Sequence, residues 1–402
     1  MESYQRWIWQ LPQWPTLTFE AEQCQAVLAR ARLSQGLLLG KAGAIGLEGL
    51  QSQMRDALTD EAITTSAIEG EKLDPQSVRS SIARRLGLDT DGAPIAEGKR
   101  NIEGLIDVLQ DATLNTSEPL TVERMCNWHG ALFPTGFSGM SRIAVGELRN
   151  VPMDVVSGPT GRSKVHYSAP PAERLHGEID AFVSWFNESH PTLGTRKMDG
   201  LLRTALSHLW FETLHPFEDG NGRIGRAIMQ LAIGQDMGQP GRIVTLSRQI
   251  ESRKTLYYSE LERAQRSHTP DVTPWMCWML EQIAEACGFA SETIDHSLQR
   301  IRFQVTMFEH SLNERQLKTM KKVLDAGPKG FKGGITTRKH EQIAKTSTPT
   351  AARDLIDLEE RGLLVKQGKG RSTRYYPAIE GWAEDLPVPT GDLAELEQTQ
   401  GR

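Results

Sequence analysis

Apolar residues recur at helical spacing twice in quick succession, first as Leu201, Leu202, Ala205, Leu206, Leu209 and Trp210, then as Ile224, Ala227, Ile228 and Leu231. Spacings of three and four mark helices that bury one face in a core. The two helices join through HPFEDGNGRIGR, His215 to Arg226, which holds a histidine, two adjacent acids, a Gly-Asn-Gly turn and two arginines. Any fold of this chain has to bring two core helices together around a very polar junction.

The chemistry of that junction suits an anion. Glycine tolerates dihedrals that other residues avoid, so Gly220-Asn221-Gly222 lets backbone N–H groups point into one concavity. Asn221 or its neighbour is expected to cap the second helix, whose positive end also favours negative charge. Arg223 and Arg226, three apart, share a face beside that pocket, and guanidinium forks match phosphate oxygens. Asp219 would repel a phosphate unless Mg²⁺ lay between them. His215 is placed to take a proton from a hydroxyl near neutral pH. Taken singly, each piece has an ordinary structural explanation: a helix-terminal histidine, a polar turn, a solvated arginine pair. Their combination points to phosphoryl or nucleotidyl transfer.

The stretch resembles the signature of the Fic family (filamentation induced by cyclic AMP), His-x-Phe-x-Asp/Glu-Gly-Asn-Gly-Arg-x-x-Arg. It matches at His215, Phe217, Asp219, Gly220, Asn221, Gly222, Arg223 and Arg226. The resemblance implies a mainly α fold, a Fic-type helical core with a β-hairpin flap, and transfer of AMP from ATP to a hydroxyl side chain of a target protein. By the same resemblance His215 is the base, Asp219 holds Mg²⁺, the amides of Gly220, Asn221 and Gly222 cradle phosphates, Arg223 and Arg226 neutralise the triphosphate, and Phe217 is an internal anchor. UMP or GMP transfer needs the same phosphate machinery. The nucleotide base is expected near Tyr257 and Tyr258, for which ordinary helix packing is an equal explanation.

A second motif is weak alone and gains meaning beside the first. Thr65-x-x-x-Glu69-Gly70 reads by itself as a helix end with a glycine stop. It is similar to the family's inhibitory motif, in which the glutamate pairs with the second signature arginine. Glu69 and productively bound ATP would then compete for the fork of Arg226, as in the self-inhibited class. Members of that class are often dimers, so a homodimer is an expectation here.

Elsewhere the pattern is largely helical. A helix is predicted from about Phe19 to Gln53, and another from Met54 to Ile68 with a stop at Gly70. A helical pair spans residues 74 to 115 around the break LGLDTDGAP, and a further helix covers Leu120 to Leu132. VPMDVV and KVHYSA flank SGPTGR, a hairpin signal that matches the family's flap at roughly Asn150 to Tyr167. Trp7, Trp9 and Trp14 lie near Pro12 and Pro15 in a segment unfit for a long helix, and read as an arm pinned to the body by aromatic surface.

From Asn313 onward the character changes. NERQLKTMKKVLDA, ITTRKHEQIAK and TAARDLIDLEERG read as three helices, the last two joined by TSTP, and LLVKQGKGRSTRYYP reads as a two-stranded wing. That is the pattern of a winged helix-turn-helix. Lys366, Lys369, Arg371 and Arg374 suit DNA phosphates, whereas Asp354, Asp357, Glu359 and Glu360 on the third helix would repel them. A DNA-binding regulator is thus the rival functional class, with a protein-docking module as the third. The expected division is residues 1–95 for an N-terminal region with the inhibitory motif, 96–300 for the catalytic core, 301–380 for the winged helix and 381–402 for a polar tail.

Bulk properties set limits on these readings. A net charge of −5 over 402 residues argues against a chain that binds nucleic acid along its whole length. Four cysteines, Cys24, Cys126, Cys277 and Cys287, are scattered singly, which suggests neither a zinc site nor a disulfide framework. The N-terminus lacks the apolar run of a signal peptide and no segment is apolar for long enough to span a bilayer, so a cytoplasmic protein with no membrane association is expected.

Overall fold

A computed structural model describes residues 7–87, 100–157, 164–331 and 333–382. The predicted hairpin turn around Gly158, most of the LGLDTDGAP break and nearly all of the polar tail lie outside the described residues. The chain divides into two compact units, Met1–Ile294 and Asp295–Arg402.

The first unit is built from α1 (Ala21–Ala42), α2 (Gly46–Ile68), α3 (Pro75–Arg85), α4 (Arg100–Leu114) and α5 (Val122–Leu132). Two small antiparallel hairpins follow, β1 (Phe137–Ser138) with β2 (Ser141–Arg142) and β3 (Asp154–Ser157) with β4 (Lys164–Ser168). Then come α6 (Ala172–Glu188), α7 (Gly200–Leu214), α8 (Asn221–Met237), α9 (Leu246–Ser252), α10 (Lys254–Gln265) and α11 (Thr273–Glu309), whose residues after Ile294 belong to the second unit. The mainly α architecture is the expected one. The first helix break falls at Gly43–Ile45 and not near Gln53, because Gly46 takes φ +69° and the apolar series through Met54 and Leu58 continues unbroken. The β1–β2 ladder, two residues on each side, was too short to show a period in the sequence.

Helices α7 and α8 form the centre and are buried almost throughout. They pack on each other, with α4, α5 and α6 around them and α2 crossing α8 and α9. Asp199 caps α7 by accepting the N–H groups of Leu201 at 3.0 Å and Leu202 at 3.2 Å. Arg32 of α1 bridges Asp199 and Asp236, each at 2.7 Å, and so ties the N-terminal helix to the start of α7 and the end of α8.

The tryptophan arm is pinned to the base of the second hairpin. Trp9 Nε1 donates to the Ser168 carbonyl at 2.8 Å, Trp14 Nε1 donates to Glu178 at 2.7 Å, and the Trp7 ring stands edge-on to Tyr167 at 5.1 Å. Arg266, which follows α10, donates to the His166 carbonyl at 3.1 Å and lies over the Trp7 ring. The hairpin therefore rests on a fixed footing at the edge of the helical core.

The second unit holds α12 (Glu314–Gly330), α13 (Thr337–Ala344), α14 (Thr348–Glu360), β5 (Leu364–Gln367) and β6 (Arg374–Pro377). Its core gathers Met320, Val323, Leu355, Leu358, Tyr375 and Trp382 with Phe303 and Met307. Ile335 bridges to Tyr375 and adds a third, one-residue partner to the β5–β6 pair. Two of the acids weighed against DNA binding are held by bonds within the unit. Asp354 is buried and binds Arg315 and His340, and Asp357 accepts from Gln316 and Arg361. These bonds turn the Asp354 carboxylate toward α12 and α13 and tie the half-exposed Asp357 to α12 and to Arg361, and remove part of the charge conflict that their positions in the sequence implied.

Candidate active site

The polar junction begins where α7 stops. His215 takes a left-handed conformation, φ 48° and ψ 60°, and its N–H closes the helix on the Phe211 carbonyl at 3.0 Å. Arg149, only 2% exposed, locks this end in place. Its guanidinium donates to the carbonyls of His215 at 2.8 Å, Val151 at 2.9 Å and Pro170 at 2.6 Å. Burial, aided by the Arg149 charge, pushes the His215 imidazole down to about 4. The ring is thus neutral at physiological pH and able to accept a proton, though its basicity lies below the near-neutral value expected from sequence.

Gly220 ends the loop with φ 79° and is the N-cap of α8. A Cβ there would lie 2.8 Å from the Phe133 ring, so both the dihedral and the packing require glycine. Asn221 does not cap the helix. Its side chain accepts the Phe217 N–H at 2.9 Å and donates to the Phe217 carbonyl at 2.8 Å, closing the loop on itself. Phe217 is wholly buried and stacks on His129 at 4.4 Å, as an anchor should. His129 accepts the Gly146 N–H on Nδ1 and so donates from Nε2 to the Asp219 carbonyl at 3.2 Å. The N–H groups of Asn221, Gly222 and Arg223 occupy the first turn of α8, where no intrahelical acceptor exists.

This loop borders a cavity of about 460 Å³. Its floor is the segment Glu218–Gly222 with Glu212, His215 and Arg226; one wall is the β3–β4 hairpin, and the other is α10 with Tyr257, Tyr258, Leu261 and Glu262. Tyr257 is buried and its hydroxyl meets His208 Nε2 at 2.9 Å, while Tyr258 is 44% exposed at the rim. The Asp219 carboxylate also faces the cavity; Oδ1 accepts the Gly220 N–H at 2.5 Å and Oδ2 accepts the Ser138 hydroxyl. Among the described residues no cluster of three or more metal-ligating side chains exists. One carboxylate beside a phosphate cradle suits Mg²⁺, which takes much of its coordination from phosphates and water.

The two arginines part company. Arg226 is buried and donates Nε to the Thr65 hydroxyl at 2.7 Å and a terminal N–H to Glu69 at 2.7 Å. Arg223 does not line the cavity. Its guanidinium lies over the Phe133 ring at 5.0 Å and 3.8 Å from Glu71. Three residues advance a helix by about 300°, which leaves the two side chains roughly 60° apart and aimed at different neighbours.

The position of Glu69 follows from how α2 ends. Gly70 adopts φ +84°, its N–H bonds the Ala67 carbonyl at 3.0 Å, and the Glu71 N–H bonds the Ser66 carbonyl at 2.9 Å. This is a Schellman termination, and it holds Glu69 at the helix end directly against Arg226. Gly222 makes the approach possible, since a Cβ there would lie 2.5 Å from the Glu69 carboxylate.

Sequence reasoning missed Arg149, Glu71 and Glu212. Glu212 is buried beside the cavity, with its carboxylate 3.9 Å from His215 Nδ1, and burial raises it to about 8. Its place three residues before the signature histidine was the only available signal, while Arg149 sits in an irregular loop that carries none.

A helical core whose two central helices meet at a glycine loop, beneath a β-hairpin and beside a buried arginine, defines a Fic-type fold. The solved structure of a Fic family protein from Desulfovibrio desulfuricans G20 superposes with a TM-score of 0.52 at 18% identity, over 87% of this chain and 95% of that one. The Fic/DOC family model matches residues 119–233, and a domain of unknown function, DUF4172, matches residues 7–88. The chain thus has a Fic-type fold and carries a Fic/DOC family domain over residues 119–233. It is 31% identical over 116 residues to a uridine 5'-monophosphate transferase of Xanthomonas campestris pv. campestris (strain 8004), covering 29% of this chain and 21% of that protein. It is 26% identical over 186 residues to a probable protein adenylyltransferase of Aquifex aeolicus (strain VF5), covering 46% of this chain and 50% of that one. The chain thus spans half or less of the length of these curated relatives.

Proposed function

We propose that the protein transfers a nucleoside monophosphate, AMP from ATP in the first instance, to a hydroxyl side chain of a target protein, and that Glu69 restrains it. The observation that carries this reading is the buried Arg226 fork, shared by Thr65 and Glu69 beside a cavity floored by Gly220, Asn221 and Gly222. First-turn amides of α8 would receive phosphate oxygens, and Asp219 would hold Mg²⁺, which neutralises phosphate charge when bound. Neutral His215 would take the proton of the attacking hydroxyl. The β3–β4 hairpin would present the target segment by strand addition, and Tyr258 at the rim would border the nucleotide base. The relatives named for UMP and AMP transfer support nucleotidyl transfer and leave the nucleotide to experiment.

The test is incubation of wild type, Glu69→Gly and His215→Ala with Mg²⁺ and α-labelled ATP or UTP, with label read by intact mass. Removing a charge-assisted bond of about 1.5–3 kcal/mol should raise labelling by Glu69→Gly about tenfold or more. His215→Ala should lose about 10²–10⁴ of the rate. Equal labelling of wild type and Glu69→Gly would remove the restraint, and labelling that survives in His215→Ala would remove the proposed base.

A second reading is favoured by the inward turn of Asp354 and Asp357. With Asp354 bound to Arg315 and His340 and Asp357 bound to Gln316 and Arg361, the exposed Lys366 and Lys369 of the β5–β6 hairpin are less opposed by acid. The second unit would then bind DNA as a winged helix, which suits a regulator that also carries a transferase site.

A further inference from the structure

Two cysteines that stand 253 residues apart in the chain meet between α1 and α11, with Cys24 Sγ 3.3 Å from Cys277 Sγ. Cys24 is buried, whereas Cys277 is partly exposed. The backbone, not the sulfurs, brings them together. Thr18 and Asp271 form a parallel β-bridge, in which the Thr18 N–H donates to the Pro270 carbonyl at 2.9 Å and the Val272 N–H to the Thr18 carbonyl at 2.8 Å. The Glu20 N–H then donates to the Thr273 hydroxyl at 2.7 Å. Helices α1 and α11 start from this junction, at Ala21 and Thr273, and each carries its cysteine close to the start. Further along, Arg30 still reaches Glu281 at 3.0 Å, so the two helices stay side by side.

The chemistry of the pair follows from its surroundings. Burial, with the bond to Cys277 and the nearby Asp271 charge, pushes the Cys24 thiol up to about 12. Cys24 therefore keeps its proton and is shielded from solvent, which leaves the Cys277 sulfur as the one that a small oxidant reaches. A sulfur oxidised beside a second thiol condenses with it to a disulfide. The gap of 3.3 Å exceeds a disulfide bond by about 1.2 Å, a distance that side-chain rotation on two fixed helices can close. Among the described residues neither Cys126 nor Cys287 is placed against another sulfur, and burial holds the Cys287 thiol up to about 12 as well.

We infer that Cys24 and Cys277 are a redox modification site, which a peroxide closes to a disulfide that staples α1 to α11. The Cys277 thiolate forms a bond to one peroxide oxygen, the O–O bond breaks, and the other oxygen leaves as hydroxide, giving a sulfenic acid. Cys24 Sγ then forms the S–S bond, the S–O bond breaks, and the leaving hydroxide takes the Cys24 proton as water. The two thiols lose two electrons and two protons, and hydrogen peroxide is reduced to two waters. The closed loop would contain α2 with Glu69 and the whole of the candidate site, and would hold the N-terminal region on the core. The inference does not depend on nucleotidyl transfer.

Full-length protein, first reduced and then treated with hydrogen peroxide, would be read by intact mass, by peptide mapping without reductant and by thermal unfolding. The expected result is a loss of two hydrogens, a linked peptide joining Cys24 to Cys277, and a rise in Tm of about 5 °C that a thiol reductant reverses. Cys24→Ser should stop at a sulfenic acid on Cys277, trapped by dimedone, with no rise in Tm. The mapping of wild type carries the test even where a variant fails to fold. A link through Cys126 or Cys287, an oxidised Cys277 without the linked peptide, or thiols unchanged by peroxide overturns the pairing. A linked peptide without the rise in Tm overturns the staple.

Discussion

His215 shows how one side chain inherits its chemistry from its surroundings. A free imidazole would gain its proton near pH 6.5, whereas burial and Arg149 hold His215 down to about 4. If His215 is the proposed base it acts when neutral, so label transfer should stay level as pH falls from 7 to about 5 and drop only as it passes through about 4. A fall centred near 6.5 would show that the base is solvated or is another group. Glu61 and Glu212 work in the opposite sense on stability. Burial raises them to about 7 and about 8, so their contribution is complete below the ordinary carboxyl range and is lost as pH rises through those values. Glu61 accepts from the Ser247 N–H at 3.2 Å and from its hydroxyl. Glu61→Gln, which stays neutral, should flatten the decline of Tm between about pH 4.5 and pH 7; an unchanged slope would mean that Glu61 is ionised in the folded protein. None of these shifts is legible from residue type, since each arises from what the fold packs around the group.

At the scale of elements, close approach decides more than propensity. Gly104 of α4 faces α5 so tightly that a Cβ would lie 1.8 Å from the Ala131 carbonyl oxygen. Gly104→Ala should therefore destabilise by about 3 kcal/mol, at the upper end of ordinary overpacking, with a matching fall in denaturant midpoint. A midpoint unchanged within error would mean that α4 and α5 separate at little cost. Nothing in the local pattern distinguishes Gly104 from a helix-weakening accident. By contrast the ends of α7 and α8 were readable. Their periodic apolar stripes, the Asp before Gly200 and the glycines at 220 and 222 are local signals, and local signals survive into the fold. Of the two caps expected for α8, Asn221 or its neighbour, the neighbour Gly220 holds the position, because the Asn221 side chain is spent in closing the loop on Phe217.

At the scale of the whole molecule, the candidate site and a charged hairpin occupy two different units of one chain. Among the described residues no helix is long and apolar enough to cross a membrane. If the second unit binds DNA, Lys366→Glu with Lys369→Glu should abolish retention on duplex DNA at low salt and leave self-labelling unchanged, and wild-type binding should weaken steeply as salt rises. Retention by the double variant equal to wild type would instead favour a protein-docking role. What the sequence by itself determined was the family signature, the helical class and the hairpin strands, because these rest on motif spacing and short-range periodicity; the pairing of Glu69 with Arg226, 157 residues apart, was implied only by the family resemblance. Only the tertiary structure decided that Arg223 leaves the cavity, that Arg149 locks the end of α7, and that Cys24 and Cys277 meet. The two thiols lie 253 residues apart, and the bridge of Thr18 to Asp271 brings their helices together. Contacts over such separations are set by how α1 docks on α11, and no local pattern in a chain encodes that.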